Sequence, residues 1–351
     1  MTENKGRSGP AKTGVVGIRD VAQAAGVSVA TVSRVVNGGY PVGDSTRKKV
    51  NAAISRLGYV PNRAAATITS QPQTAILVQR CVSGGTYADM AAGVESEARR
   101  QQLQFHILTT GGDWTDPEKT LSEILSYRPR LVVMTPDSGI TPTVIDAFND
   151  NFQKFKTVGA SLVMLAWPRL NFSQDIDVVD YENEQGTYEL TKYMISLGHR
   201  HFAFMGLNTG GARWQRYQGF LRALADNGID FDETMAIKDV GERLSDMTNT
   251  MTVLRSHPEI TAIVGSTDEL ALHAMAGARK MGLNIPQDIS VGGFDDLDYA
   301  DDFIVPLTTV HASYFEMGEI AVKLGLDDTR HDVTVPTRLV IRASVMPPAQ
   351  Q

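Results

Sequence analysis

The segment VSVATVSRVVNG (residues 27–38) combines small apolar side chains with a single cation, Arg34. An arginine can donate two hydrogen bonds to O6 and N7 of guanine, and a small side chain such as Val29 or Ala30 can contact the methyl group of thymine. On a helix these residues share one face, and their small size would let that face lie close to base edges. The residues predicted to contact bases are Val29, Ala30, Ser33, Arg34 and Asn37.

Two short helices with a tight turn between them would hold this face in place. Apolar residues at positions 18, 21, 22 and 25 repeat at helical spacing, Gly26 then ends the helix, and Ser28 can cap the next one. Two helices joined in this way form a helix-turn-helix, whose second helix lies in the major groove of DNA. A third helix is predicted from Asp44 or Ser45 to Leu57.

Positive charge is concentrated at the N-terminal end of the chain. Residues 1–63 contain ten lysines and arginines and only three acidic residues, whereas the whole chain has a formal net charge of −7. A basic segment on an acidic protein favours contact of that segment alone with a polyanion. Three cations near the start of the third helix are predicted to contact DNA phosphates: Arg47, Lys48 and Lys49.

From residue 74 onward, short apolar runs alternate with amphipathic helical stretches. Seven runs are predicted to be strands: AILV, FHILT, RLVVMT, SLVMLA, HFAFMG, TAIVGS and ISVGGF. Strands that alternate with helices favour parallel sheets covered by helices on both faces. Because this many strands exceeds one comfortable sheet, we predict an α/β core of two lobes. Ligands would bind at the carboxyl ends of the strands, in the cleft between the lobes.

Other chemistries find little support in the sequence. His199 and His201 in GHRH have no nearby carboxylate or cysteine, and the aspartates between Asp295 and Asp302 lack the pattern of a calcium loop, so no metal site is predicted. No nucleophile stands beside a base and no nucleotide fingerprint is present, so we expect no catalytic residue and no cofactor. A single cysteine, Cys81, and a polar N-terminus without an apolar run predict a cytoplasmic protein with no membrane partner.

Longer motifs resemble one family along most of the chain. IRDVAQAAGVSVATVSRVVNG and STRKKVNAAISRLGYVPN resemble the N-terminal module of the lactose/galactose-repressor (LacI/GalR) family. RYQGFLRAL, STDELALHAMAGARKMGLNIPQDISVGGFDD and LVIRASV resemble the ligand-binding core of that family. The resemblance implies a ligand-responsive transcriptional regulator, most often a repressor, that binds a near-palindromic operator as a homodimer.

The resemblance also implies the domain organisation. We expect a disordered tail over 1–14, a helix-turn-helix domain over 15–61, a hinge helix or linker over 62–72, and a core over 73–351 with the fold of a periplasmic-binding-protein-like clamshell. The first lobe is expected to contain about 73–179 and 305–334. The second lobe is expected to contain about 180–304 and 335–347.

In the family, the hinge pairs with its partner's copy in the minor groove of DNA, and a leucine wedges into the central base step. Ile68 stands at that leucine position here, and a β-branched wedge is stiffer. Ala66 stands where arginine is usual, which should weaken the attraction to phosphates. The hinge residues expected at the minor groove are Asn62, Ala65 and Ile68.

An effector site in the cleft is a further implication of the resemblance. Arg216 and Asp295 match two polar anchors of sugar-binding members and together could hold adjacent hydroxyl groups. Other positions depart from the family, since Ala166 replaces an aspartate and Thr267 replaces an asparagine. The residues expected to bind the effector are Tyr87, Trp167, Arg216, Leu244, Thr267, Asp295 and Tyr314. A sugar or glycoside is the expected effector, and a nucleoside-like ligand is the alternative.

Two rival interpretations come from other functional classes. A solute-binding receptor without a DNA role would share the core, and an enzyme that had adopted the fold is a more distant rival. The helices predicted over 18–57 and the missing export signal favour the regulator. The sequence therefore predicts a repressor of a carbohydrate-utilisation operon.

Replacing Arg34 by alanine is expected to cost roughly 1–3 kcal/mol of operator binding and to relax the preference for guanine at its contact. Lys48→Ala is expected to weaken binding to operator and to random DNA about equally, and to flatten the salt dependence by about one unit. Binding titrations on operator and scrambled DNA measure both effects. An equal loss on the two DNAs for Arg34→Ala would contradict its base-reading role.

Overall fold

A computed structural model of the chain divides into two compact units, Met1–Gln71 and Pro72–Gln351. The structure describes residues 16–37, 41–59, 73–135, 141–169, 171–173, 175–207, 211–238, 243–327, 329 and 331–349. The tail predicted over 1–14 and the hinge predicted over 62–72 lie outside these residues. Within the described ranges, none of the helices has the length and apolar character needed to cross a bilayer.

Three helices build the described part of the first unit: α1 (Ile18–Ala25), α2 (Val29–Asn37) and α3 (Asp44–Leu57). Gly26 and Gly58 each follow a helix with a positive φ, 67° and 64°, a conformation that favours glycine. The hydroxyl of Ser28 accepts a hydrogen bond from the backbone N–H of Thr31 at 3.1 Å, which confirms the predicted cap. Six buried side chains join the helices: Val21, Ala22, Ala25, Val32, Val50 and Ala53.

The first lobe of the second unit is built on a six-stranded sheet. Its strands are β1 (Thr74–Gln79), β2 (Gln104–Thr109), β3 (Leu131–Met134), β4 (Ser161–Leu165), β5 (Asp177–Tyr181) and β11 (Val333–Val335). They are ordered β11-β5-β4-β3-β1-β2, and all neighbours run parallel. Alternate side chains point to opposite faces and pack against helices on both. These helices are α4 (Gly85–Arg100) and α11 (Tyr314–Leu326) on one face, and α5 (Pro117–Ser126) and α6 (Pro142–Val158) on the other.

The second lobe is built on a four-stranded parallel sheet. Its strands are β6 (Phe202–Leu207), β7 (Ala236–Lys238), β8 (Ala262–Gly265) and β9 (Ser290–Gly292), in the order β7-β6-β8-β9. Its helices are α7 (Asn183–Ser196), α8 (Gly211–Asp226), α9 (Arg243–Ser256) and α10 (Asp268–Lys280). Two short 3-10 turns, Glu233–Met235 and Asp298–Ala300, lie in its loops.

A separate antiparallel pair, β10 (Thr309–Ala312) with β12 (Thr337–Val340), lies where the chain passes between the lobes. All seven predicted strands are present, so the two-lobe parallel architecture is confirmed. The short strands β5, β7, β10, β11 and β12 were not predicted. In each of them polar or charged residues interrupt or end the apolar positions, as Asp177 and Asp180 do in DVVDY, so no apolar run marks the strand.

Helices α4 and α11 approach each other closely because glycine stands on both sides of their contact. A Cβ atom at Gly93 would lie 2.0 Å from the carbonyl oxygen of Phe315, and one at Gly318 would lie 2.4 Å from the carbonyl oxygen of Met90. No side chain fits at either distance without moving a helix. The contact fixes the position of α11, whose first residue is Tyr314.

Gly93→Ala is therefore expected to destabilise the core by about 1–3 kcal/mol through overpacking, although alanine normally favours a helix over glycine. Thermal unfolding of the variant measures the loss as a lower Tm. Ala92 is exposed on the same helix, and Ala92→Ser serves as the control with little expected change. An unchanged or higher Tm for Gly93→Ala would show that the two helices have room to separate.

Candidate functional site

Arg216 lies on α8 and is only 3% exposed. Its Nε donates to Oδ1 of Asn183 at 2.9 Å, and its Nη1 donates to the backbone carbonyl oxygen of Ser266 at 2.5 Å. Its Nη2 donates to Oη of Tyr181 at 2.8 Å. A buried guanidinium needs such acceptors, because they replace the water that it has lost.

Asp295 supplies the negative charge beside this guanidinium. It follows β9 by three residues, is 6% exposed, and places Oδ1 3.1 Å from Nη2 of Arg216. The Oη of Tyr314 donates to the same carboxylate oxygen at 2.6 Å. Burial raises the pKa of the Asp295 carboxyl, although Arg216 and the hydrogen bond from Tyr314 oppose that shift. We call Tyr181, Asn183, Arg216, Asp295 and Tyr314 the arginine cluster.

The arginine cluster joins the two lobes. Tyr181 ends β5 and Tyr314 begins α11, and both elements belong to the first lobe. Arg216 and Asp295 belong to the second lobe, so the hydrogen bond that Arg216 donates to Tyr181 and the one that Asp295 accepts from Tyr314 both cross between the lobes. The ring of Phe294 adds a cation–π contact, with 3.7 Å between its centroid and Cζ of Arg216.

Two apolar contacts beside the arginine cluster also cross between the lobes. A Cβ atom at Gly85, in the first lobe, would lie 2.7 Å from Cδ2 of Leu297 in the second. A Cβ atom at Gly211, at the start of α8, would lie 2.6 Å from the ring of Trp167. The lobes are therefore in direct contact around the cluster, and the arrangement is a closed one.

The backbone at Asp295 is stabilised by contacts of the next residue, Asp296. Asp295 and Asp296 both have positive φ values, 121° and 56°, which are strained for residues with a side chain. The Asp296 carboxylate lies 2.9 Å from Nδ1 of His311 on β10 and 2.8 Å from Nη1 of Arg342, two residues after β12. These contacts tie the strained loop to the strands that connect the lobes.

Asp268 is a second buried carboxyl next to the arginine cluster. It is fully buried, lies 2.5 Å from the hydroxyl of Thr309, and accepts a hydrogen bond from the backbone N–H of Leu297 at 2.9 Å. Burial and the nearby charge of Asp295 raise its pKa to about 8. At neutral pH Asp268 is therefore mostly protonated, and the carboxyl group in contact with Arg216 is that of Asp295.

Three of the predicted effector residues, Arg216, Asp295 and Tyr314, meet in the arginine cluster. Trp167 is buried against Gly211, and Tyr87 is half-buried at the edge of the same apolar core as Tyr314. The remaining two are not brought into the cluster. Thr267 caps α10, where its hydroxyl accepts from the backbone N–H of Leu270 at 3.2 Å, and Leu244 near the start of α9 is 62% exposed.

Sequence reasoning missed three polar residues at this site: Tyr181, Asn183 and Asp268. Tyr181 and Asn183 stand at the end of DVVDY and directly after it, but this strand was not predicted, so its carboxyl end could not be located. Asp268 was visible as the residue after Thr267 at the carboxyl end of a predicted strand. Its burial beside a second carboxyl was not visible, because that contact joins residues 27 positions apart.

In the first unit, the face predicted to contact bases is open where the structure describes it. Val29 is 42% exposed, Ala30 and Arg34 are exposed, and Ser33 is half-buried. The three cations predicted to contact phosphates, Arg47, Lys48 and Lys49, are exposed on α3. The side chain of Asn37 and the hinge residues Asn62, Ala65 and Ile68 lie outside the described residues, so their roles stay predictions.

Comparison with known proteins covers both units. Residues 17–62 match the family model of bacterial regulatory proteins of the lacI family, and residues 191–345 match the model of a periplasmic binding protein-like domain. The HTH-type transcriptional regulator DegA of Bacillus subtilis is 31% identical, over 94% of this chain and 98% of its own. The HTH-type transcriptional regulator CelR of Thermobifida fusca is 30% identical, over 93% and 95%.

Solved structures are similar over nearly the same length. A complex of the transcriptional regulator CelR with cellobiose has a TM-score of 0.69 at 25% identity, and covers 94% of this chain and 99% of its own. The lac repressor dimer bound to operator and an anti-inducer has a TM-score of 0.76 at 23% identity, with 95% and 99% covered. The second similarity concerns the fold alone, and it agrees with the predicted helix-turn-helix head and two-lobe core.

The raised pKa of Asp268 predicts a pH-dependent stability. The folded-state pKa of about 8 lies above the ordinary value, so between about pH 4 and pH 8 the carboxyl is protonated in the folded protein and ionised in the unfolded chain. Folding therefore takes up a proton, and the free energy of unfolding falls by up to about 1.4 kcal/mol for each unit that the pH rises. Asp268→Asn removes this cost and imitates the protonated acid. The Tm of this variant relative to the natural protein is expected to rise steadily between pH 5 and pH 8.5.

Thermal unfolding across this pH range measures the difference. Asp302→Asn, at an exposed position in a nearby loop, is the matched control and is expected to show no such trend. A constant difference between Asp268→Asn and the natural protein would mean that Asp268 is ionised in the folded state.

Proposed function

Since the chain belongs to the LacI family of bacterial regulatory proteins, which are transcriptional regulators, we propose that it represses its target genes by binding a near-palindromic operator as a homodimer. The open face of α2 and the cations of α3 support this proposal. In it, Val29, Ala30, Ser33, Arg34 and Asn37 read base edges, and Arg47, Lys48 and Lys49 bind phosphates. The hinge residues Asn62, Ala65 and Ile68 enter the minor groove.

The effector in this proposal is a sugar or glycoside that binds between the lobes. One observation carries it: the charged pair Arg216 and Asp295 is bonded across the cleft through the hydroxyl groups of Tyr181 and Tyr314. Hydroxyl groups of a sugar have the same donor and acceptor character, so they can take over or extend these contacts. The cellobiose complex of CelR, whose chain aligns over almost the whole length, supports a ligand of this class.

In this proposal the remaining predicted residues make the outer contacts with the ligand. Tyr87 and Trp167 would cover the apolar face of a sugar ring, while Thr267 and Leu244 would lie at the rim of the cleft. In this proposal the protein acts in the cytoplasm, where it binds DNA and ligand and catalyses no reaction. Its core spans 73–351, with the hinge over 62–72 between core and head.

The ligand would act by stabilising one arrangement of the lobes over another. Shifting a two-state balance from 1:99 to 99:1 needs about 5.5 kcal/mol of differential affinity. Loss of one charge-assisted contact removes about 1.5–3 kcal/mol. A single substitution in the arginine cluster should therefore make the response to ligand incomplete while DNA binding persists.

Arg216→Ala and Asp295→Ala are expected to bind the operator with near-normal affinity and to lose the response to the effector. Operator binding is measured with and without each member of a panel of sugars and nucleosides, after thermal unfolding has shown that the variants fold. Asp295→Asn keeps the size of the side chain if the alanine variant does not fold. Arg222→Ala removes an arginine on the same helix that pairs with Glu184 on the surface, and it is the control with a normal response.

A normal response in both cluster variants would place the effector elsewhere. A response of the natural protein to nucleosides alone would refute the sugar while leaving the regulator intact. Absence of any sequence-specific DNA binding would refute the repressor itself.

A further inference from the structure

Gln79, the last residue of β1, has a buried side-chain amide without a partner. The residue is 1% exposed, and neither its Oε1 nor its Nε2 has a hydrogen-bond partner among the residues that the structure describes. Leaving a buried polar group unpaired costs free energy, because its hydrogen bonds to water are lost and not replaced. A leucine or methionine would fill the same space without that cost. The amide is therefore a candidate for a partner that arrives from outside the chain.

The side chain of Gln79 shares a sheet face with the tyrosines of the arginine cluster. Ala75 and Leu77 on β1 pack in one apolar core with Tyr181 and Tyr314. Because side chains alternate along a strand, Gln79, two residues beyond Leu77, points to that same face. It lies at the carboxyl end of β1, and the carboxyl edge of a parallel sheet is where ligands bind in such folds.

The sheet order gives the distance between Gln79 and Tyr181 along this edge. Tyr181 ends β5, and the sheet order places β5 three strand spacings from β1, which amounts to about 14 Å between the strands. Tyr181 contacts Arg216 at one end of this span, and Gln79 lies at the other. A single sugar ring held by Arg216 and Asp295 cannot reach so far, whereas a longer glycoside can.

A second unpaired group follows β4, the strand next to β5 on the side of β1. The indole Nε1 of Trp167, two residues after β4, is buried and has no partner within the described ranges. Both Gln79 and Trp167 are uncharged, and the position next to Trp167 is Ala166. Both groups can donate a hydrogen bond to a hydroxyl oxygen, and the Gln79 amide can also accept one.

We propose that Gln79 is a second polar anchor of the ligand site and binds hydroxyl groups at the end of the ligand remote from Arg216. The site accordingly takes a glycoside of at least two sugar rings. This inference rests on the proposed sugar effector. It adds to that proposal a residue and a minimum length.

The test compares Gln79→Met, which keeps the length of the side chain, with the natural protein. Tyr217→Phe is the matched control, because the Tyr217 hydroxyl is also buried without a described partner but packs among Phe204 and Phe231, away from the sheet edge of Gln79. Thermal unfolding is measured without ligand, and binding of cellobiose, maltose, lactose, glucose and ribose is measured by calorimetry. Gln79→Leu repeats the test if the methionine variant does not fold.

We expect Gln79→Met to unfold at the same or a higher temperature than the natural protein, and to bind its disaccharide at least tenfold more weakly. Tyr217→Phe should bind it normally. A markedly lower Tm for both Gln79 variants would mean that the amide is paired within the protein, and unchanged disaccharide affinity would mean that it faces no ligand. Either result overturns this proposal alone. If the natural protein binds none of the five sugars, the proposed sugar effector falls, and the role of Gln79 falls with it.

Discussion

The burial of one positive charge governs the arrangement of the core. The guanidinium of Arg216 is 3% exposed, and an ion removed from water costs several kcal/mol unless its hydrogen bonds are replaced. Here the acceptors come from β5, from the start of α7, from the carboxyl end of β8 and from the loop after β9. These elements belong to both lobes, so the requirement of a single side chain fixes how the two sheets meet.

Other features follow from that requirement. Helix α8 can bring Arg216 close to α7 because Gly219 lies against the backbone of Glu184, where a Cβ atom would be 2.0 Å from its carbonyl oxygen. Burial and the nearby charge of Asp295 raise the pKa of Asp268 to about 8, and the carboxylate that contacts the guanidinium is that of Asp295. The strained backbone of Asp295 is stabilised because Asp296 pairs with His311 on β10 and with Arg342 just after β12. The arginine cluster, the contact between the lobes and the segments that connect the lobes are thus joined by direct contacts.

Much of this architecture was predictable from local patterns, and the reasons for the misses are physical. The cap at Ser28, the glycines that end α1 and α3, and the seven predicted strands depend on neighbouring residues, which a sequence displays directly. Arg216 and Asp295 were found because their surrounding motifs resemble those of a known family. The tyrosines that bond them were missed, since Tyr181 ends a strand in which Asp177 and Asp180 interrupt the apolar residues. The Gln79 amide is unpaired because the folded chain puts no hydrogen-bonding group of the described residues next to it, and the sequence alone does not show this.

The central claim is that the tyrosine hydroxyls hold the lobes against the charged pair. The most direct measurement is the distance between spin labels at exposed positions of the two lobes, Glu123 on α5 and Arg255 on α9, in a chain with Cys81→Ser. We expect one narrow distribution without ligand. In the double variant Tyr181→Phe with Tyr314→Phe, which removes both hydroxyl groups and keeps the rings, the distribution should broaden toward longer distances. An identical narrow distribution in the double variant would show that apolar packing alone closes the cleft, and would contradict the account.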